Sequence, residues 1–206
     1  RSSFPELIAY AGLAILVVGV GLFFLWLLDR MERITARSTR AWRLPILCGF
    51  GVAAIVFVGP QLFGTGQRFT NEVLSGRATE VWWVLMLLAL GKGVATALTT
   101  NSGASGGAFM PSLFMGAALG SGFAQMANPF WFGSTDLNPG AFAVVGMAAM
   151  FSVVGRAPLT AILIVFEVTG ARDYGLILPL MLVATLATFL AERIHPESVY
   201  TQALRR

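Results

Sequence analysis

Between Gly93 and Thr135 the chain carries no Lys, Arg, Asp, Glu or His, yet this uncharged stretch is broken in the middle by N-S-G-A-S-G-G-A-F-M-P, Asn101 to Pro111. Six glycines fall between Gly103 and Gly122. A continuous membrane helix is not written this way. In hydrocarbon every peptide N–H and C=O needs a partner, so irregular backbone survives at membrane depth only where protein buries it or a wet cavity receives it. Helix ends aimed at the bilayer midplane are how many transporters build ion sites. The break therefore predicts that something polar, an ion, is handled there.

The rest of the chain is written for the same solvent. Of its 206 residues 56% are hydrophobic and 12% charged, against about 25% charged in an ordinary soluble domain. This predicts an all-α, multi-pass integral membrane protein with no soluble domain. The positive charge is arginine apart from Lys92. A basic balance can indicate nucleic acid, but here Arg30, Arg33, Arg37, Arg40 and Arg43 crowd one short loop after an apolar run, and Arg193, Arg205 and Arg206 follow the last one. Positive residues mark cytoplasmic segments, which places the loop 29–43 and the C-terminus inside and excludes a nucleic-acid partner. The single Cys48 sits in an apolar run, so neither a disulfide framework nor a cysteine metal site is expected. One histidine and no acidic cluster argue against a bound transition metal. The chain begins at Arg1 with no signal peptide, and we read it as a piece of a longer protein.

Hydropathy divides the chain into helices of unequal length. Leu7 to Leu28 is 22 uncharged residues, and about 20 suffice to cross a bilayer. Leu44 to Val58 is a shorter helix ended by Gly59-Pro60. Gln61 to Glu80 reads as an outer loop with an amphipathic helix over Arg68 to Leu74. Val81 to Thr100 spans, interrupted only by Lys92. Pro111 opens a helix through Gln125, since proline suits a first turn that needs no N–H from it. Asn128 to Pro139 is a loop with an interfacial aromatic belt at Phe130, Trp131 and Phe132. Ala141 to Val154, Leu159 to Val168 and Tyr174 to Ala191 follow, with a break at Gly155 to Pro158 and a turn at Thr169 to Asp173. A final short helix is expected over Glu197 to Arg206. The short helices resemble the broken segments of transporters more than a simple bundle.

At the break itself, a helix starting near Met110 leaves its first amides without intrahelical acceptors. The peptide dipoles add roughly half a positive charge there, and Gly106 and Gly107 let backbone approach a ligand closely. Amides and dipole together make an anion site, with the N–H groups of Ala108 and Phe109 as the expected donors. An arginine would bind too tightly, whereas conduction needs an ion that also leaves. The competing reading is close helix packing by small residues, and Gly116 and Gly120 are assigned to it. Ser102 and Ser105 read as caps or turn formers.

These residues carry a family resemblance. Gly107-Ala108-Phe109-Met110-Pro111 resembles the G-x-F-x-P signature of CLC proteins, the voltage-gated chloride channels and chloride/proton antiporters. The surrounding S-G-A-S-G-G-A-F-M-P-S-L-F-M-G-A-A-L-G, then Gly146-Met147-Ala148-Ala149, Arg156-Ala157-Pro158-Leu159-Thr160 and Val165-Phe166-Glu167-Val168-Thr169-Gly170, are similar in the same order. The resemblance implies that residues 1–206 correspond to the C-terminal half of a CLC transmembrane domain. It further implies a central chloride held by the amides of Ala108 and Phe109 and the hydroxyl of Tyr200, with Gly107 part of the site and Ser105, Gly106, Met110 and Pro111 supporting it. Chloride or a similar small anion is then the substrate and protons a further partner, with no cofactor. A homodimer and the inner membrane of a prokaryote are expected. The family's serine loop and gating-glutamate loop do not occur in this sequence, and the resemblance assigns them to a missing N-terminal half.

Other residues keep two readings. Tyr200 by position alone is an interfacial anchor. Glu167, an acid after ten uncharged residues, is a proton site or a hydrogen-bonded structural group near a helix end. Arg156 pairs with it or faces water. Lys92 snorkels or lines a vestibule. Two alternatives to transport remain. Gly103-Ala104-Ser105-Gly106 fits the G-x-S-G pattern of rhomboid intramembrane proteases, whose serine needs a histidine base in reach, and His195 at a helix's terminal edge is the sole candidate. A non-transporting membrane scaffold is the other.

Overall fold

A chain this apolar must close its backbone hydrogen bonds within itself, and helices do so. The computed structural model describes residues 4–36, 43–102, 106–131, 136–170 and 174–194, and every regular element among them is helical. In order they are α1 (Phe4–Ala36), α2 (Arg43–Val58), α3 (Gln67–Leu74), α4 (Trp82–Asn101), α5 (Phe109–Ala127), α6 (Pro139–Gly155), α7 (Pro158–Val168) and α8 (Ile177–Ile194). Short 3-10 turns occupy Pro60–Leu62, Asn128–Phe130 and Tyr174–Leu176. Proline writes most of the starts: Pro5, Pro45, Pro111, Pro139, Pro158 and Pro179 all fall in a helix's first turn. At the other end of α7, Gly170 takes φ 73° and its N–H donates to Glu167 O at 2.9 Å, a glycine C-cap.

Among the described residues three helices are long and apolar enough to cross a membrane: residues 6–35, 82–100 and 177–194. At 1.5 Å per residue the 11 residues of α7 and the 16 of α2 fall short of a hydrocarbon core of about 30 Å. The protein is thus a polytopic all-α membrane protein with broken and short helices, as the hydropathy predicts. Large apolar side chains such as Ile8, Phe50, Leu159 and Phe189 stand exposed on the outer helices, a surface suited to lipid rather than water.

Helices α5 and α6 form the buried centre of the fold. Ser112 to Gly122 is buried almost without interruption, and a helix apolar all round belongs inside. Here α5 lies against α6 backbone to backbone. A Cβ on Gly116 would collide with Gly146 O, one on Gly120 with Phe142 O, and one on Gly146 with Gly116 O. The small residues at 116 and 120 therefore do the packing assigned to them. Fully buried Phe114, Met115, Leu119, Phe142, Met147 and Met150 fill the space around this contact.

Several boundaries differ from the sequence reading. The loop expected at 29–43 is helical through Ala36, because no glycine or proline stops α1 when its apolar run ends and Asp29 meets Arg33 one turn on, at 2.8 Å. Arg30 and Arg33 are therefore helix residues. The helix after the break begins at Phe109 rather than Met110 or Pro111, and α6 begins at Pro139 because Asn138 caps it. The last span is a 3-10 turn followed by α8. The helix expected over 197–206 lies outside the described residues, as do Phe132, Gly103, Ser105, His195 and Tyr200.

Candidate anion site at the start of helix α5

The break lies between α4 and α5. Ser102 ends α4, its hydroxyl donating to Thr99 O at 2.7 Å and its N–H to Leu98 O. On the far side, α5 starts after Ala108 with no side-chain cap. The first amide to donate into the new helix is Ser112 N–H, to Ala108 O at 3.0 Å. The amides of Gly107, Ala108, Phe109 and Met110 take no acceptor among the described residues, and Pro111 has no N–H to place. Five consecutive backbone units, four open donors and one proline without an N–H, therefore stand unpaired within the described residues at the positive end of a 19-residue helix.

Three of these residues, Gly107, Phe109 and Met110, line a cleft of about 530 Å³ bounded by α2, the 59–66 loop, α4 and the start of α5. Gly106, Gly107, Phe109, Met110 and Pro111 line it, opposite Val56, Thr96 and Thr100. Ala108 is not a lining residue; it packs half-buried against the core, as does Phe109, whose ring meets Phe151 edge-on at 5.2 Å. A Cβ on Gly107 would meet nothing within 4 Å, so there is room beside this backbone for a ligand. Ser112 Oγ turns inward to Phe109 O at 2.6 Å and supplies nothing to the cleft.

The one lysine is the surprise. Lys92 is 3% exposed on α4 and lines the same cleft. In sequence it stands well away from the break, but α4 and the 59–66 loop bring it to the same cavity. It does not snorkel. Its Nζ donates to Leu62 O at 3.0 Å and Gly64 O at 2.6 Å, and sits 5.3 Å from the Phe114 ring centroid. Those partners are neutral or quadrupolar, and no carboxylate pairs with Lys92 among the described residues. A buried cation without a counter-charge is costly, and it makes this cleft attractive to an anion. The loop that receives Lys92 is shaped by Gly66, at φ 72° with the Phe114 ring against its α-carbon, where any side chain would collide. A buried charge within an apolar span is the signal by which sequence could have joined Lys92 to the site.

Arg156 and Glu167 are not brought together. Arg156 ends α6 in the left-handed region at φ 56°, and its Nη2 donates to Ala191 O of α8 at 3.2 Å, with the charge of Glu192 nearby. Glu167 is exposed in the last turn of α7, and its backbone oxygen takes Gly170 N–H. Neither lines the cleft.

The geometry defines a membrane protein of broken helices with an uncapped helix start and a buried cation on one cavity. The sequence matches the family described as voltage gated chloride channel over residues 1–192, and the chain belongs to that family. A ClcB-like protein of Ralstonia nicotianae is 36% identical over 203 residues, 98% of this chain and 46% of its own length. An H(+)/Cl(-) exchange transporter ClcA of Vibrio cholerae is 40% identical over 147 residues, 71% of this chain and 30% of its own. Among solved structures, a slow cyanobacterial Cl-/H+ antiporter superposes with TM-score 0.81 at 28% identity, covering 100% of this chain and 48% of that one. A eukaryotic CLC transporter gives TM-score 0.78 at 25% identity, covering 98% and 35%. The chain thus spans half or less of the length of these relatives. The match over residues 1–192 also sets aside the rhomboid protease reading.

Proposed function

We propose that this chain is the C-terminal half of a CLC transmembrane domain and forms part of a pathway moving chloride or a similar small anion across a membrane. The observation behind this is the run of open amides from Gly107 to Met110, of which Gly107, Phe109 and Met110 line a cleft that also holds Lys92. An anion there is solvated by N–H groups and the α5 dipole. Lys92, two of whose three protons are held by loop carbonyls, raises its local concentration through its charge. Partial charges at the resting place keep the ion exchangeable. Tyr200 completes the coordination by resemblance, and the rest of the pathway comes from the other half. A homodimer, protons as a coupled partner, and a cytoplasmic placement of 29–43 and the C-terminus belong to the same reading, as does transport rather than enzymatic chemistry.

The test is chloride flux from liposomes carrying the full-length protein, with and without a proton gradient. Flux that drives proton movement indicates an exchanger, and flux indifferent to protons a channel. Liposomes no leakier than protein-free ones would sink the proposal.

A further inference from the structure

The outward stripe of α1 changes chemistry where its apolar run ends. At 100° per residue, Ile15, Gly19, Phe23, Trp26, Arg30 and Arg33 fall within one arc of about 80°, and all of them are exposed. Phe23 and Trp26 stack with centroids 5.9 Å apart. Arg30 and Arg33 follow about 6 and 10 Å further along the axis. The apolar run Leu7 to Leu28 is 22 residues, about 33 Å of helix, which is a full hydrocarbon thickness. One stripe therefore offers aliphatic side chains at acyl depth, an indole at the hydrocarbon boundary and two guanidinium groups at headgroup depth.

The fold does not absorb those two charges. Asp29 holds Arg33 at 2.8 Å, but the arginine side chain remains 67% exposed, and exposed pairs of this kind exchange partners readily. Arg30 makes no ion pair or hydrogen bond among the described residues. Glu32 falls on the opposite side of the helix. The sequence adds Arg37, Arg40 and Arg43 within the next ten residues. Guanidinium forks match phosphate oxygens two at a time, tryptophan favours the interface, and basic residues just beyond a span attract anionic lipid.

We infer that this stripe binds anionic lipid, with Arg30 and Arg33 on the headgroup phosphate and Trp26 below them at the start of the acyl chains. A zwitterionic lipid presents the same phosphate beside its own cation and is held less well. No residue of the α5 cleft takes part.

The test compares full-length parent, R30Q/R33Q and R30K/R33K proteins in micelles titrated with phosphatidylglycerol or phosphatidylcholine, reading retained lipid by native mass spectrometry. Parent protein should prefer phosphatidylglycerol, the glutamine variant should lose about fivefold for each charge removed, and the lysine variant should keep most of the preference. Added inorganic phosphate should not displace the lipid, because the acyl chains hold it as well. A parent without preference, a glutamine variant equal to it, a lysine variant as weak as the glutamine one, or displacement by free phosphate would each overturn the inference.

Discussion

The chain starts two neighbouring helices in opposite ways. At α6, Asn138 sits in extended backbone at φ −78°, ψ 112°, and its Oδ1 accepts from Gly140 N at 2.9 Å and Ala141 N at 3.3 Å, with Pro139 between them. At α5, Ala108 holds the same position with no side-chain acceptor, and its φ −83°, ψ −9° is not the extended geometry from which a cap side chain reaches back. One start is closed by its own sequence. The other is left open beside a cavity and a buried cation. Two ends of similar length and apolarity therefore differ in what they can bind, and the difference lies in two residues, Asn against Ala, and the backbone each adopts.

The comparison breaks first at Phe109. Phe109→Pro deletes one open amide, and the loss of a hydrogen bond to a charged ligand, about 2 kcal/mol, should weaken bromide binding roughly thirtyfold in calorimetry on the full-length protein. Phe109→Ala removes the ring but keeps the amide, so it should bind normally despite lower stability. Equal affinity in all three proteins would falsify the amide site. Lys92→Gln should come next, with a fall of about fivefold in anion affinity from the lost charge. That deficit should shrink less with added salt than a surface charge would, because Lys92 is buried. A deficit abolished by moderate salt would place the charge outside the cleft's influence. Asn138→Ala should cost about 1 kcal/mol of stability, seen as a lower thermal midpoint, with anion affinity untouched. If binding falls as well, the two helix starts are not independent. The smallest effect is expected from Ala108→Ser, a gain under about 0.5 kcal/mol, since ψ −9° points a hydroxyl away from the open amides. A full capping gain would show that the open start is a matter of side chain alone.

Much of this is legible in the sequence, for definite reasons. Hydropathy marks the spans because the solvent is uniform, and proline marks the starts because its missing N–H is tolerated only there. The break at Asn101 to Pro111 announces itself as irregular backbone among uncharged residues. Lys92 stands out only as a charge within an apolar span; its place beside the α5 start depends on how the 59–66 loop folds over α4, and no local periodicity encodes that. Arg156 misleads for the same reason: its partner Ala191 is a backbone oxygen 35 residues on, which carries no side-chain signature. The run-on of α1 past Leu28 escapes a hydropathy reading because helix formation does not stop at the membrane surface when the following residues also favour it. Tyr200 rests on resemblance alone.

The glycine contact between α5 and α6 has a mechanical consequence. With Gly116 against Gly146 O and Gly120 against Phe142 O, advancing α5 by one residue would push a methyl or larger group into the α6 carbonyls. The two rods are keyed, like a dovetail, and neither twists nor slides alone. Any movement of one of these helices relative to the rest of the fold must carry the other with it, and the open start of α5 travels with the pair.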